Sequence, residues 1–142
     1  MRELVAKTNC YPRENHNAAL ILGVANELLE YLENEELSEL GDVIWYMTAC
    51  EYDITGKVMG TLSLDLVKPL EVCSKLVGCV KKHFRKDEAY KNLWTSATPW
   101  LNIVAEALNN MSFIIIENAV AEVKEKLERR LAADTLRGDG DR

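Results

Sequence analysis

Residues 15–47 decide the fold of this chain, and they read NHNAALILGVANELLEYLENEELSELGDVIWYM. Apolar residues recur there at spacings of three and four, the period of an α-helix with one buried face. One such run extends from Asn15 to about Leu32, and the next extends from Leu37 to about Tyr52. A short polar link without Gly or Pro, residues 33–35, separates the two runs. The sequence therefore predicts two helices packed antiparallel as a hairpin over residues 14–53.

The helical period continues on both sides of this hairpin. Residues 2–8 fit a short helix, and further helices are predicted from about Leu64, from Asp87 and over Phe113 to about Leu131. Pro99 is expected to kink or split the helix that starts at Asp87. Strand signals are scarce, so the fold class predicted is all-α, a bundle of about five helices.

The helices are expected to form one domain, residues 1–133, followed by a polar tail, residues 134–142. Residues 64–110 fit a second helical hairpin that repeats the first in degenerate form. Two unrelated hairpins would give a similar pattern, and both interpretations stay open. If the repeat is genuine, the second hairpin lacks the acids of the first and serves as scaffold.

Composition narrows the class of protein. The chain has 142 residues, 48% of them hydrophobic, and 17 Lys+Arg against 23 Asp+Glu give a net charge of −6. This acidity argues against direct nucleic-acid binding and against a basic membrane-surface helix. The longest apolar run, Ala18–Ala25, is too short to span a membrane. The four cysteines form no Cys-x-x-Cys pair, so redox and zinc signatures are absent. Cys50, Cys73 and Cys79 lie in apolar periodic segments, where a free Cys acts as a small hydrophobic residue, and this favours a reducing, cytoplasmic location.

Four acids on the first hairpin are candidates for chemistry. Glu27 and Glu30 are three residues apart on one helix, and Glu39 and Asp42 are three apart on the next. Residues with that spacing share a helix face, so the four carboxylates are expected to converge in the groove between the helices. A hard divalent cation, Mg²⁺ above all, would relieve their repulsion. The simpler alternative is a solvated acidic face with one structural carboxylate.

Asp42 is the least ordinary of these acids, because the stretch from Leu40 to Met47 is otherwise apolar. A carboxylate in such surroundings must be paired, hydrogen-bonded or metal-bound. Gly41 beside it costs a helix about 1 kcal/mol relative to Ala, which indicates a close helix contact or space for a ligand.

The residues around these acids carry a family resemblance. Residues 39–46, ELGDVIWY, resemble the signature of the MazG-like all-α nucleoside triphosphate pyrophosphohydrolases. Residues 17–20, 27–30, 126–130 and 135–142 give supporting similarity. The resemblance implies hydrolysis of a (deoxy)nucleoside triphosphate to monophosphate and pyrophosphate, with Mg²⁺ or else Mn²⁺ as cofactor. It also implies a homo-oligomer, with a dimer as the default, and a role in cleansing the nucleotide pool.

The resemblance assigns roles residue by residue. It implies metal ligation by four acids, catalytic roles for two of them, and nucleotide contacts by two further residues. The metal ligands are Glu27, Glu30, Glu39 and Asp42; the catalytic acids are Glu30 and Glu39; the nucleotide contacts are Tyr46 and Asn118.

Two positions depart from the family pattern. In one alignment of the first motif, Val24 stands where the family has its first Glu, although Glu27 and Glu30 keep the literal Glu-x-x-Glu spacing. Near the C-terminus, Val123 stands where the family often has Asn.

Two other functions remain open at this point. The first is a catalytically impaired relative that binds nucleotide or acts as a partner subunit, which Val24 favours. The second is a helical interaction module, which would be favoured if Asp42 were buried and bonded to protein alone.

Overall fold

A computed structural model describes residues 1–52 and 67–134 of the chain. Within these ranges the secondary structure consists of α-helices and two short 3₁₀ turns. The helices are α1 (Arg2–Thr8), α2 (His16–Asn34), α3 (Leu37–Ala49), α4 (Val67–Phe84), α5 (Leu93–Asn109) and α6 (Phe113–Ala132). The predicted all-α bundle is confirmed. The predicted helix start at Leu64 and the tail beyond Asp134 lie outside the described residues.

The first hairpin forms as the sequence predicts. Glu35 ends α2 with a left-handed backbone (φ 55°), and its N–H donates to the Tyr31 carbonyl at 2.7 Å. Glu36 then caps α3 with an extended backbone, so residues 35–36 complete the turn. The apolar residues that define the period are buried on the facing sides of the two helices. They include Leu20, Ile21, Val24, Leu28, Leu40, Val43, Ile44 and Met47.

The hairpin lies at the centre of the described structure. Helix α3 packs between α2 and α6, α2 packs against α4, and α4 packs against α5. The short helix α1 contacts both α3 and α6. As a result, α6 lies beside the acidic helix α3, although many residues separate them in sequence.

Helix α5 corrects two predictions. It begins at Leu93 rather than Asp87, because the Asn92 side chain caps it by accepting from the Thr95 N–H at 3.2 Å. Residues Glu88–Tyr90 form a 3₁₀ turn instead. The helix then continues through Pro99 without splitting. Pro99 is exposed, so the backbone that its ring leaves unbonded faces the solvent side.

The second helix pair, α4 and α5, lies inside the predicted range 64–110. Its connection spans residues 85–92, which is longer than the turn at residues 35–36, and the clustered acids lie on the first pair. The degenerate repeat stays a prediction.

In the described ranges, no single helix is long and apolar enough to cross a membrane. Helices α5 and α6 taken together have the length and apolar composition of a membrane-crossing segment, but the two helices are bent by 109° relative to each other.

Candidate metal centre

Acids from both helices of the first hairpin line one cavity of about 760 Å³. Glu27 and Glu30 reach it from α2, and Glu39 and Asp42 reach it from α3. The convergence that the spacing predicts is therefore present. Helix α6 and the N-terminal segment complete the walls, with residues that include Thr8, Tyr11, Lys126 and Arg130, and α3 adds Tyr46.

Three of the acids come close enough to share one ion. One carboxylate oxygen each from Glu27, Glu39 and Asp42 lies within 4.8 Å of the others. Oxygens bound to one divalent ion at 2.0–2.6 Å are at most about 5 Å apart, so this triad can close on a single cation. Glu30 lines the same cavity beside the triad.

The triad is short of positive charge. Oε2 of Glu27 is buried, and within residues 1–52 and 67–134 it has no hydrogen-bond partner. Burial, together with the charges of Asp42, Glu30 and Glu39, raises the pKa of Glu27 to about 8. Burial and the Glu30 charge also raise the pKa of Glu39. A buried carboxylate oxygen without a partner is costly, and a cation would remove that cost. These residues therefore fit a hard divalent ion such as Mg²⁺.

Asp42 has a partner on another helix. The Lys126 ammonium of α6 donates to Oδ1 of Asp42 at 2.5 Å and to Oδ2 at 2.6 Å. Burial raises the pKa of Asp42, and Lys126 and Arg130 oppose that rise. Sequence reasoning missed both cations, because they lie in a strongly charged helix end that reads as a solvated surface. The family-like stretch 126–130 was the one signal that pointed to them.

Tyr46, expected near the base or sugar, lies at the rim of this cavity. Its hydroxyl is hydrogen-bonded to the Tyr11 hydroxyl. Its ring occupies space that only a glycine leaves open, because a β-carbon on Gly23 would lie 2.1 Å from the Tyr46 Cε1 atom. Burial and the Tyr11 hydroxyl raise the pKa of Tyr46, so the Tyr46 hydroxyl stays protonated at physiological pH.

Three other positions from the sequence lie away from the cavity. Asn118 is exposed on α6 and does not line the cavity; it precedes Lys126 by two helical turns, about 12 Å. The structure therefore does not bring this predicted nucleotide contact to the acids. Val24 and Val123 are both fully buried in the core. The acids that line the cavity from α2 are Glu27 and Glu30, and Val24 does not line it.

Comparison of the chain with known protein families, with curated proteins and with solved structures finds no match.

Proposed function

We propose that this chain is a Mg²⁺-dependent nucleoside triphosphate pyrophosphohydrolase. One observation carries the proposal: a triad of carboxylates and two cationic side chains, Lys126 and Arg130, line the same cavity. The acids suit a divalent ion, and the cations suit phosphate oxygens. A metal–triphosphate complex carries both charges, so its metal would bind the carboxylates while its phosphates bind the two cationic side chains.

Each residue of the cavity would have its own role in the reaction. Glu27, Glu39 and Asp42 would hold the ion, which neutralises phosphate charge and makes the α-phosphorus easier to attack. Glu30 lies next to the triad and would orient water and accept its proton. Lys126 and Arg130 would hold the phosphates. Water would add to the α-phosphorus as the bond to the bridging oxygen breaks, so the products are nucleoside monophosphate and pyrophosphate.

The aromatic rim would border the base or the sugar. Tyr46 and Tyr11 form a hydrogen-bonded pair that lines the cavity, and such rings offer a flat apolar surface with a polar edge. A homodimer remains the proposed assembly by family resemblance. The cytoplasm remains the proposed location, since all four cysteines are free thiols.

A helical interaction module is the second candidate, and one observation favours it. Both oxygens of Asp42 are already bonded to Lys126, so this carboxylate has a partner within the protein. The unpartnered oxygen of Glu27 and the approach of Glu39 favour the metal site instead. A nucleotide-binding protein without catalysis would share the site and differ only in turnover.

Pyrophosphate release from a panel of standard and modified (d)NTPs, with Mg²⁺ or Mn²⁺, tests the enzyme directly. We expect Glu39→Gln and Asp42→Asn to lower turnover by about 100-fold or more, the usual scale for losing a group that acts in the reaction. Glu33→Gln is the matched control, because Glu33 is exposed on α2 and does not line the cavity. Turnover that survives both site substitutions would overturn the site. Nucleotide binding without turnover would indicate the non-catalytic relative. The absence of both binding and turnover would indicate the interaction module.

A further inference from the structure

Lys126 already satisfies one member of the metal triad. Its ammonium contacts both Asp42 oxygens, and the two side chains are only 19% and 20% exposed. In this ion pair, a single Nζ atom bridges the two oxygens of one carboxylate. In the metal-free protein, Asp42 is thus bound to a cation that the chain itself supplies.

The Lys126 ammonium compensates the charge of Asp42 more fully than the charges of the other acids in the cavity. Oε2 of Glu27 is buried and has no hydrogen-bond partner among the described residues, whereas both oxygens of Asp42 accept from Lys126. Two cationic side chains, Lys126 and Arg130, share the cavity with four carboxyl groups, those of Glu27, Glu30, Glu39 and Asp42. The cavity can therefore take up further positive charge, and the triad is where it would go.

A divalent ion and the Lys126 ammonium compete for the same oxygens. An ion bound to Glu27, Glu39 and Asp42 would lie about 2 Å from an Asp42 oxygen. Lys126 contacts that same carboxylate group, so the two cations would be neighbours within a partly buried site, where their repulsion is strong. Binding of the ion must therefore weaken or break the pair between Asp42 and Lys126.

We propose that Lys126 is an exchangeable counter-ion: it holds Asp42 until a divalent ion displaces it, and its ammonium then binds the phosphate groups of the incoming ligand. This inference rests on the proposed function. Arg130 lies one helical turn beyond Lys126 and lines the same cavity, so the displaced ammonium remains beside a second cation that suits anions. The ion and the phosphate ligand would then each improve the binding of the other, as linkage requires.

Mn²⁺ alone, without nucleotide, tests the exchange on the full chain. Calorimetry of the metal-free protein would compare the wild type with Lys126→Met and with Lys124→Met. Lys124 is the control because it is exposed on the same helix and does not line the cavity. We expect Lys126→Met to bind Mn²⁺ roughly tenfold more tightly, the effect of removing one nearby competing charge. The Lys124→Met variant should match the wild type.

Amine labelling of the wild type gives a second measurement that needs no variant. Acetylation of Lys126, followed by mass spectrometry, should be slow in the metal-free protein and several-fold faster with Mn²⁺. Labelling of Lys124 should not change. Mn²⁺ binding that is no tighter in Lys126→Met, with Lys126 labelling unaffected by the ion, would overturn the exchange and leave the proposed function standing. Failure of every variant to bind Mn²⁺ or Mg²⁺ at millimolar concentration would overturn both.

Discussion

Gly41 and Gly78 both lie within helices but have opposite surroundings. A β-carbon on Gly41 would lie 2.6 Å from the Ala119 carbonyl oxygen and 2.9 Å from the Val123 Cβ atom, whereas one on Gly78 would meet nothing within 4 Å. The sequence left two roles open for Gly41, a close helix contact or space for a ligand. The first is what the structure contains, since Gly41 lets α3 approach α6. That approach also brings Lys126 within reach of Asp42.

We expect Gly41→Ala to destabilise the protein by about 1–3 kcal/mol, because the backbone of Ala119 cannot move aside as a flexible side chain would. Gly78→Ala should instead stabilise it by about 0.5–1 kcal/mol through helix propensity. Urea unfolding of both variants measures the difference. An equal gain in both would mean that α3 and α6 do not approach closely at Gly41.

Single residues also mark the limit of sequence reasoning about the site. Glu27, Glu39 and Asp42 could be predicted, because their spacing fixes the helix face and the short link fixes the pairing of the helices. Lys126 could not be derived in this way, since it is 84 positions from Asp42 and its own helix end is rich in charges. Side chains from distant helices become neighbours only through tertiary packing, on which local periodicity carries no information.

At the scale of elements, α5 shows a different limit, because hydrophobic periodicity does not locate the cap at which a helix begins. Periodicity located this helix but not its start, because the decisive feature is one hydrogen bond from the Thr95 N–H to the Asn92 side chain. Of the two outcomes expected at Pro99, a kink or a split, the split is wrong: the helix continues, because the proline ring lies on an exposed side where the lost backbone bond is tolerated. The central hairpin was easier, since its buried faces are long and its link is polar.

Helix α1 depends on one buried hydroxyl group. Thr8 is 5% exposed, donates to the Leu4 carbonyl at 2.7 Å and accepts from the Trp45 indole N–H at 2.8 Å. Thr8→Val keeps the shape but leaves the indole N–H buried without an acceptor, so we expect a loss of about 1–3 kcal/mol in unfolding free energy.

Thr48→Val is the matched control for that change, because the Thr48 hydroxyl donates to the Ile44 carbonyl of its own helix and bonds to no other helix in the described part of the chain. Its effect should stay within about 0.5 kcal/mol. Urea unfolding followed by Trp fluorescence measures both variants. Equal effects would show that the bond between Trp45 and Thr8 does not fix α1 on α3.

At the scale of the whole molecule, the acids of the cavity link folding to pH. Glu27 faces Glu30 from its own helix, Glu39 and Asp42 from α3, and Lys126 and Arg130 from α6. The net result of burial and these charges is a pKa of about 8 in the folded chain, against 4.5 for an ordinary Glu. Between those two values the folded state holds a proton that the unfolded chain has lost. Stability should therefore fall as pH rises through this window, and be fully present below it.

We expect the midpoint temperature of unfolding of the metal-free protein to decrease as the pH is raised from 5 to 8. The decrease should be smaller in Glu27→Gln, because the Gln side chain cannot ionise. Glu33→Gln, on the exposed face of α2, should keep the wild-type slope. A divalent ion binds the ionised carboxylates, so added Mg²⁺ should stabilise the wild type more at pH 8 than at pH 5. Thermal unfolding at a series of pH values, with and without Mg²⁺, measures each slope. A wild-type slope that Glu27→Gln leaves unchanged would mean that the charge deficit of this cavity does not control the stability of the fold.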